Sequence, residues 1–438
     1  MTITEQKTRE SITDPGLDRG LARWKEARAE TDGLFKIVRP EFLYDRPIAE
    51  RHRLVFYIGH LEAFDWNLLR GPLRIPSFAP DLDQLFAFGI DPVEGNLPTD
   101  QPADWPSLAR VYEYRDRIRQ ALDRAFESAD LQRGGAQFDE LLNVAVEHRL
   151  MHAETLAYLF HQMPLEKKSL PALEAPSSRD REVISSAIRI PDGSAMLGLA
   201  PDSKTFGWDN EFDAHIVDVP EFLIDRYKVT NGQFLQFLES GGYDDRELWA
   251  EEDWNWLRAE SISHPAFWID RADGWKWRSM FAEIPLPADG PVYVSHAEAS
   301  AYAKWLGAAL PTEAQWQHAA YGTNESAQEP ELSPHPEDRR WDPSPVDDPA
   351  LQSSGFGVYG MISNGWEWTS TTFAPFEGFR SRDFYPGYSA PFFDGKHFVL
   401  KGGSVRTAPC MLRPSFRNWF QPRYQYVYAG FRCVRPKG

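Results

Sequence analysis

Residues 138–160 read FDELLNVAVEHRLMHAETLAYLF, and the spacing within this run decides the first half of the fold. Leu141, Ala145, His148, His152, Thr155 and Leu159 succeed one another at steps of four and three. That spacing is the inward-facing seam of a bundle helix. Two histidines on adjacent turns of such a seam point into the interior, where an unsatisfied imidazole is costly to bury.

Working outward, residues 49–70 and 105–127 carry the same periodicity, and Pro106 after Asp104 suggests a helix opening with proline in its first turn. A further helix near 16–30 would complete an antiparallel four-helix bundle. Residues 163–187 lose the period and gain Pro, Ser and charge, as a linker does. From about 188 short β-like runs (HIVDVPEFLIDRYKV, PVYVS, HFVLKGGS) alternate with Gly, Pro and Asn turns. One clear helix, SHAEASAYAKWLGA, opens on Ser295 and Glu298 as a capping box. No internal repeat is present, and 322–350, rich in Glu, Pro, Ser and Asp, reads as a solvated excursion. The expected fold class is α plus α+β: an N-terminal helical bundle over 1–165, a linker over 166–187 and an α+β domain over 188–438.

Composition bounds the chemistry. At 438 residues two domains are the natural expectation. With 47 basic against 65 acidic residues the net charge is -18, which disfavours a nucleic acid or an anionic membrane as partner and favours small molecules. No apolar run approaches a membrane span, and the polar start MTITEQKTRE lacks a secretory core, so a cytoplasmic protein is expected. Cys410 and Cys433 allow at most one bridge. The 16 Trp, 16 Tyr and 28 Phe crowd the second half, where aromatic-pinned loops are expected.

An HxxxH alone is equally compatible with two core histidines bonded to neighbouring side chains. His60 shifts that balance, because it lies mid-helix with Phe56 and Phe64 one turn away on the same face. Three inward imidazoles on two facing helices would supply three nitrogen ligands and leave positions open for substrates. Asp65 and Glu154 are candidate acceptors to orient the rings, with solvated helix-surface carboxylates as the alternative. The ligand set does not choose among zinc, iron, nickel and copper.

NGWEWTSTTF (364–373), KGGSV (401–405) and RPSFRNWFQPRYQYVYAGFRCVR (413–435), with YKVTNGQFLQFL from Tyr227 and LPTEAQWQHAA from Leu310, resemble the formylglycine-generating-enzyme fold, a variant of the C-type lectin fold. Joined to a DinB-like bundle bearing His60, His148 and His152, the chain resembles the ergothioneine sulfoxide synthase and selenoneine synthase family over nearly its whole length. The resemblance implies iron(II) on those three histidines, hercynine (trimethylated histidine) and a thiol or selenosugar as partners, and dioxygen as oxidant. It further implies substrate contacts from Asn418 and Trp419, the indole face suiting a quaternary ammonium, and a tyrosine proton donor, for which Tyr385 and Tyr388 are the candidates. Trp366 and Trp368 read as core.

The departures are informative. Family members that use γ-glutamylcysteine carry arginines after the second bundle helix, matched to a substrate carboxylate. Here that stretch, FGIDPVEGNLPTDQPADWP (88–106), holds no Arg or Lys. Phe420 stands where those enzymes place an acid, and Met151 where some place Gln. These changes point to a less charged donor, a selenosugar, and so to a carbon–selenium bond. The alternatives are a sulfoxide synthase using cysteine or γ-glutamylcysteine, a DinB-type metal-dependent thiol transferase, a copper-dependent formylglycine-generating oxidase, which would need two adjacent thiolates, and a non-catalytic lectin-like module.

Overall fold

A computed structural model of the protein describes residues 15–87, 97–127, 135–169, 183–184, 186–322 and 340–436. The chain divides into two compact units, Met1–Ala153 and Glu154–Gly438. In the first, helices α1 (Pro15–Phe35), α2 (Leu54–Leu69), α4 (Leu108–Glu127) and α5 (Gly135–Gln162) make the bundle, with a short α3 (Pro80–Leu85) between the second and third long helices. The last turns of α5 belong to the second unit. All six seam residues of α5, Leu141 to Leu159, are buried, as their spacing predicts. Helix α4 opens later than Pro106 suggests: Asp104 instead closes a 3₁₀ turn by accepting from the Gln101 backbone N–H, and the α-helix begins at Leu108.

Helix α2, LVFYIGHLEAFDWNLL, is buried almost all round, including Glu62 and Asp65. These two acids accept from Arg149 of α5 at 3.0 and 2.7 Å. Trp24 of α1 adds Nε1–H to Asp65 at 2.8 Å, and Arg119 of α4 donates to Glu62 and Asp32. Burial opposes ionisation of Glu62, but Arg149 and Arg119 outweigh it and hold the carboxyl down to about 2. Removing one partner from such a buried set costs about 3–5 kcal/mol, because the other charge is left desolvated.

The second unit is built from short strands. They are β1 (Ala187–Ile190), β2 (Gly193–Leu197), β3 (His215–Val219), β4 (Phe222–Asp225), β5 (Trp268–Ile269), β6 (Lys276–Arg278), β7 (Glu283–Pro285), β8 (Gly365–Thr372), β9 (Phe398–Gly403), β10 (Asn418–Phe420), β11 (Ala429–Gly430) and β12 (Val434–Pro436). They form sheets β1-β4-β12, β2-β3, β5-β6-β7 and β10-β9-β8-β11. Helices α6 (Asn231–Glu239), α7 (Glu251–Ala259), α8 (His296–Trp305) and α9 (Glu313–Tyr321) lie between them in sequence. The Ser295/Glu298 capping box of α8 is present. PVYVS makes no named strand: Pro291 bridges Thr230, and the backbone N–H groups of Val292 and Val294 donate to the carbonyls of Val229 and Ala429. One core gathers Ile190, Phe222, Ile224, Trp316, Met361 and Leu412. The excursion expected over 322–350 lies outside the described residues from 323 to 339, as does the linker from 170 to 182 and at 185.

Candidate metal centre

His60 of α2 and His148 and His152 of α5 are all buried, and their ring nitrogens converge. Nε2 of His152 lies 3.1 Å from Nε2 of His60 and 3.2 Å from Nε2 of His148. Two nitrogens held about 2.1 Å from one ion subtend about 95–100° at such separations, so each of these two pairs suits a shared cation, and all three ligand atoms lie within 4.8 Å of one another. Nδ1–H of His60 donates to the Phe86 carbonyl at 2.8 Å, which leaves the lone pair on Nε2, the atom that faces the other two rings. Burial pushes the His60 imidazole down to about 4, against the Phe86 carbonyl. Burial and the neighbouring imidazoles push His148 well below its ordinary value, and burial and His60 do the same to His152. All three are therefore neutral at physiological pH, the state a metal requires.

The rings are wedged in place by aromatic packing. Phe56 stacks on His60 at 4.8 Å between centroids. Phe64, expected to flank His60, instead lies flat on His148 at 3.4 Å and 8°. The carboxylates proposed to orient the rings do not do so. Asp65 is taken by Trp24 and Arg149. Glu154, in the second unit, accepts from Trp366, Ser404 and Thr407 at 2.8, 2.6 and 2.7 Å. A backbone carbonyl holds His60 instead, and no side-chain motif could have revealed it.

Gly59 explains how Phe86 comes so close. A Cβ there would lie 2.5 Å from the Phe86 ring. Alanine inside a helix ordinarily stabilises by about 1 kcal/mol relative to glycine. At Gly59 overpacking reverses the sign, and Gly59→Ala is expected to cost about 1–3 kcal/mol in urea unfolding. It should also weaken metal retention by moving the carbonyl that holds His60. A stabilised variant with the parent's metal content would show that Phe86 does not set this ring.

In the second unit, the segment leading into β10 is pinned by buried charges. Lys401 donates to the carbonyls of Pro414 and Phe416, Arg413 pairs with Glu211, and Arg417 pairs with Glu313. Asn418, Trp419 and Phe420 then pair in register with Leu400, Val399 and Phe398 of β9. Strand alternation sends Asn418 and Phe420 to one face and Trp419 to the other. Phe420 stacks on Tyr424 at 5.3 Å and 5°. Trp419 is partly exposed; it stacks on Phe373 at 4.3 Å and meets Tyr388 edge-on at 5.3 Å. Tyr388 is buried against Trp208, with Tyr385 5.7 Å away and less buried. Both candidate proton donors thus belong to the aromatic cluster that contains Trp419. Met151 is half-buried on α5, and Trp366 and Trp368 are core, as expected.

Of the stretch 88–106, which holds no Arg or Lys, residues 88–96 lie outside the described residues. Over 97–106 cations do arrive, but from elsewhere in the sequence. Arg46 and Arg53 pair with Asp100, which also accepts from Trp105 at 2.7 Å. The thiols carry no disulfide, and burial pushes Cys433 well above its ordinary value, which is unsuited to a thiolate pair for copper.

A buried three-histidine set in a helical bundle, followed by an aromatic-pinned unit of short sheets, defines a two-part protein class. Residues 23–156 match the DinB superfamily, and residues 173–437 match the sulfatase-modifying factor enzyme 1-like domain. Over 402 residues the chain is 34% identical to hercynine oxygenase of Mycolicibacterium smegmatis, covering 86% of this chain and 89% of that protein. It is 27% identical over 515 residues to ergothioneine biosynthesis protein 1 of Neurospora crassa, covering 94% of this chain but 57% of that one. A formylglycine-generating enzyme of Thermomonospora curvata is 30% identical over 304 residues, covering 60% of this chain and 97% of that enzyme. The chain belongs to the hercynine oxygenase family. No helix among the described residues is long and apolar enough to cross a membrane.

Proposed function

We propose that this protein is an iron(II)- and dioxygen-dependent enzyme that joins a chalcogen to the imidazole ring of hercynine, with a selenosugar as the donor. The observation that carries the reading is the convergence of the three neutral Nε2 atoms of His60, His148 and His152 in a member of this family. Iron held there would activate dioxygen and bring the imidazole and the chalcogen to one point. In the net reaction a ring C–H and an Se–H bond break, a C–Se bond forms, and the two electrons and two protons released pass to dioxygen. Tyr385 and Tyr388 are the proposed proton donors, and the side chains at Met151, Asn418 and Phe420 shape recognition without adding charge. Anaerobic purification followed by metal analysis and oxygen uptake with hercynine tests the reading. Iron together with hercynine-dependent uptake supports it; zinc or nickel without uptake would make the chain a thiol transferase, and no bound metal a binding module.

The partly exposed indole of Trp419, with Tyr388 edge-on to it, is suited to a quaternary ammonium, which makes no hydrogen bond and is held by cation–π attraction of roughly 0.5–2 kcal/mol. Hercynine is expected to bind more tightly than histidine by about 2–30-fold, and Trp419→Ala should erase most of that difference in calorimetric titrations. Equal affinities in the parent would remove Trp419 from the site.

A further inference from the structure

We infer that Arg149 is a positioning residue for the three-histidine set, a clamp that fixes how α2 and α5 meet. The inference rests on the reading that these histidines hold a metal. His60 is on one helix and His148 and His152 are on the other, so the set exists only at one spacing and rotation of the pair. A contact along a single strip of side chains leaves each helix free to roll about its axis, whereas a second, separate strip removes that freedom. Arg149 supplies the second strip. It follows His148 directly in sequence, and a helix turns by about 100° per residue, so its side chain leaves α5 on the flank beside the ligand seam. Its guanidinium is fully buried and donates to three groups of α2: Glu62 Oε1 at 3.0 Å, Asp65 Oδ2 at 2.7 Å and the Leu61 carbonyl at 2.9 Å.

The Leu61 bond is the informative one. It ties the guanidinium to the α2 backbone at the residue next to His60, so a shift of either helix is transmitted to a ligand one residue away. Side-chain pairs alone would yield by rotamer changes. Thr31 of α1 and Trp24, through Asp65, brace the same group from a third helix. A lysine would keep the positive charge, but a point ammonium on a flexible stem lacks the planar fork that reaches all three α2 acceptors together.

Cobalt(II) titration of the full-length apo protein, read through the visible cobalt bands, is run beside urea unfolding of the same apo samples. Arg149→Lys is expected to weaken cobalt binding by about 10–100-fold and to shift the bands, as loss of a group that orients metal ligands does. Arg119→Met is the control, since Arg119 bonds Glu62 and Asp32 from α4 and is part-exposed. It should lower the urea midpoint yet leave cobalt affinity within about threefold, the size of an ordinary surface effect. Parent-like affinity and bands in folded Arg149→Lys would overturn the clamp, as would an equal loss of affinity in Arg119→Met. If Arg149→Lys does not fold, Asp65→Asn, which keeps the shape and removes one acceptor, takes its place with the same expected result and the same refutation. A parent that binds no cobalt would overturn the metal reading itself, and the clamp with it.

Discussion

Anaerobically purified His148→Ala and His152→Ala proteins are expected to lose essentially all bound iron and all hercynine-dependent oxygen uptake while remaining folded. Each removes one of three nitrogens, and removing even a group that merely orients a ligand costs about 10–100-fold in metal affinity. The bundle should survive because the rest of the seam, from Leu141 and Ala145 to Leu159, stays buried and apolar. The two variants are expected to differ in stability. His148 carries the flat contact with Phe64, so its alanine removes a stacked ring face, whereas His152 meets its neighbouring rings edge-on. Metal content by elemental analysis, with urea unfolding of the metal-free proteins, separates loss of a ligand from loss of fold. Iron and turnover at the parent's level in either variant would remove that histidine from the site.

The bundle was legible because it rests on periodicity. Steps of three and four are properties of side chains, and burial of the α5 seam follows from them. The convergence of His60 with the α5 pair was legible for the same reason, since a histidine with phenylalanines one turn to either side belongs to an inward face. What orients the rings was not. The Phe86 carbonyl is a backbone group that any residue would supply, and its approach depends on a missing Cβ at Gly59.

The acids expected in that role have partners on other elements, which the sequence of a single helix does not show. Two acids in a mostly apolar α2, and an arginine beside a core histidine in α5, are jointly a sign of a buried ion pair, but only once the helices are known to meet. Glu154 likewise looked like a bundle residue, yet its three donors come from positions more than two hundred residues away. In the second unit the motifs identified the fold, and strand pairing then showed what adjacency in sequence conceals: Asn418 and Trp419 are neighbours that face opposite ways.

With hercynine and oxygen present, a selenosugar is expected to give a catalytic efficiency at least about 10–100-fold above cysteine or γ-glutamylcysteine. Each charge-assisted hydrogen bond that a substrate forgoes is worth about 1.5–3 kcal/mol, hence roughly one to two powers of ten per contact. γ-Glutamylcysteine brings two carboxylates and an ammonium. Phe420, at the position where the family resemblance implies an acid in γ-glutamylcysteine-using members, stacks on Tyr424 and has no charge to offer an ammonium. In the described part of the loop 88–106, Arg46 and Arg53 both pair with Asp100, so recruiting either to a substrate carboxylate would break an existing ion pair. A sugar-borne selenol needs only neutral hydrogen bonds and stacking, which an aromatic-rich unit supplies at lower desolvation cost. Competition between the three donors in one reaction, with products resolved by mass, reads the preference directly. A preference for either amino-acid thiol would place the chain with the sulfoxide synthases and would mean that a substrate carboxylate finds a cation other than Arg46 and Arg53.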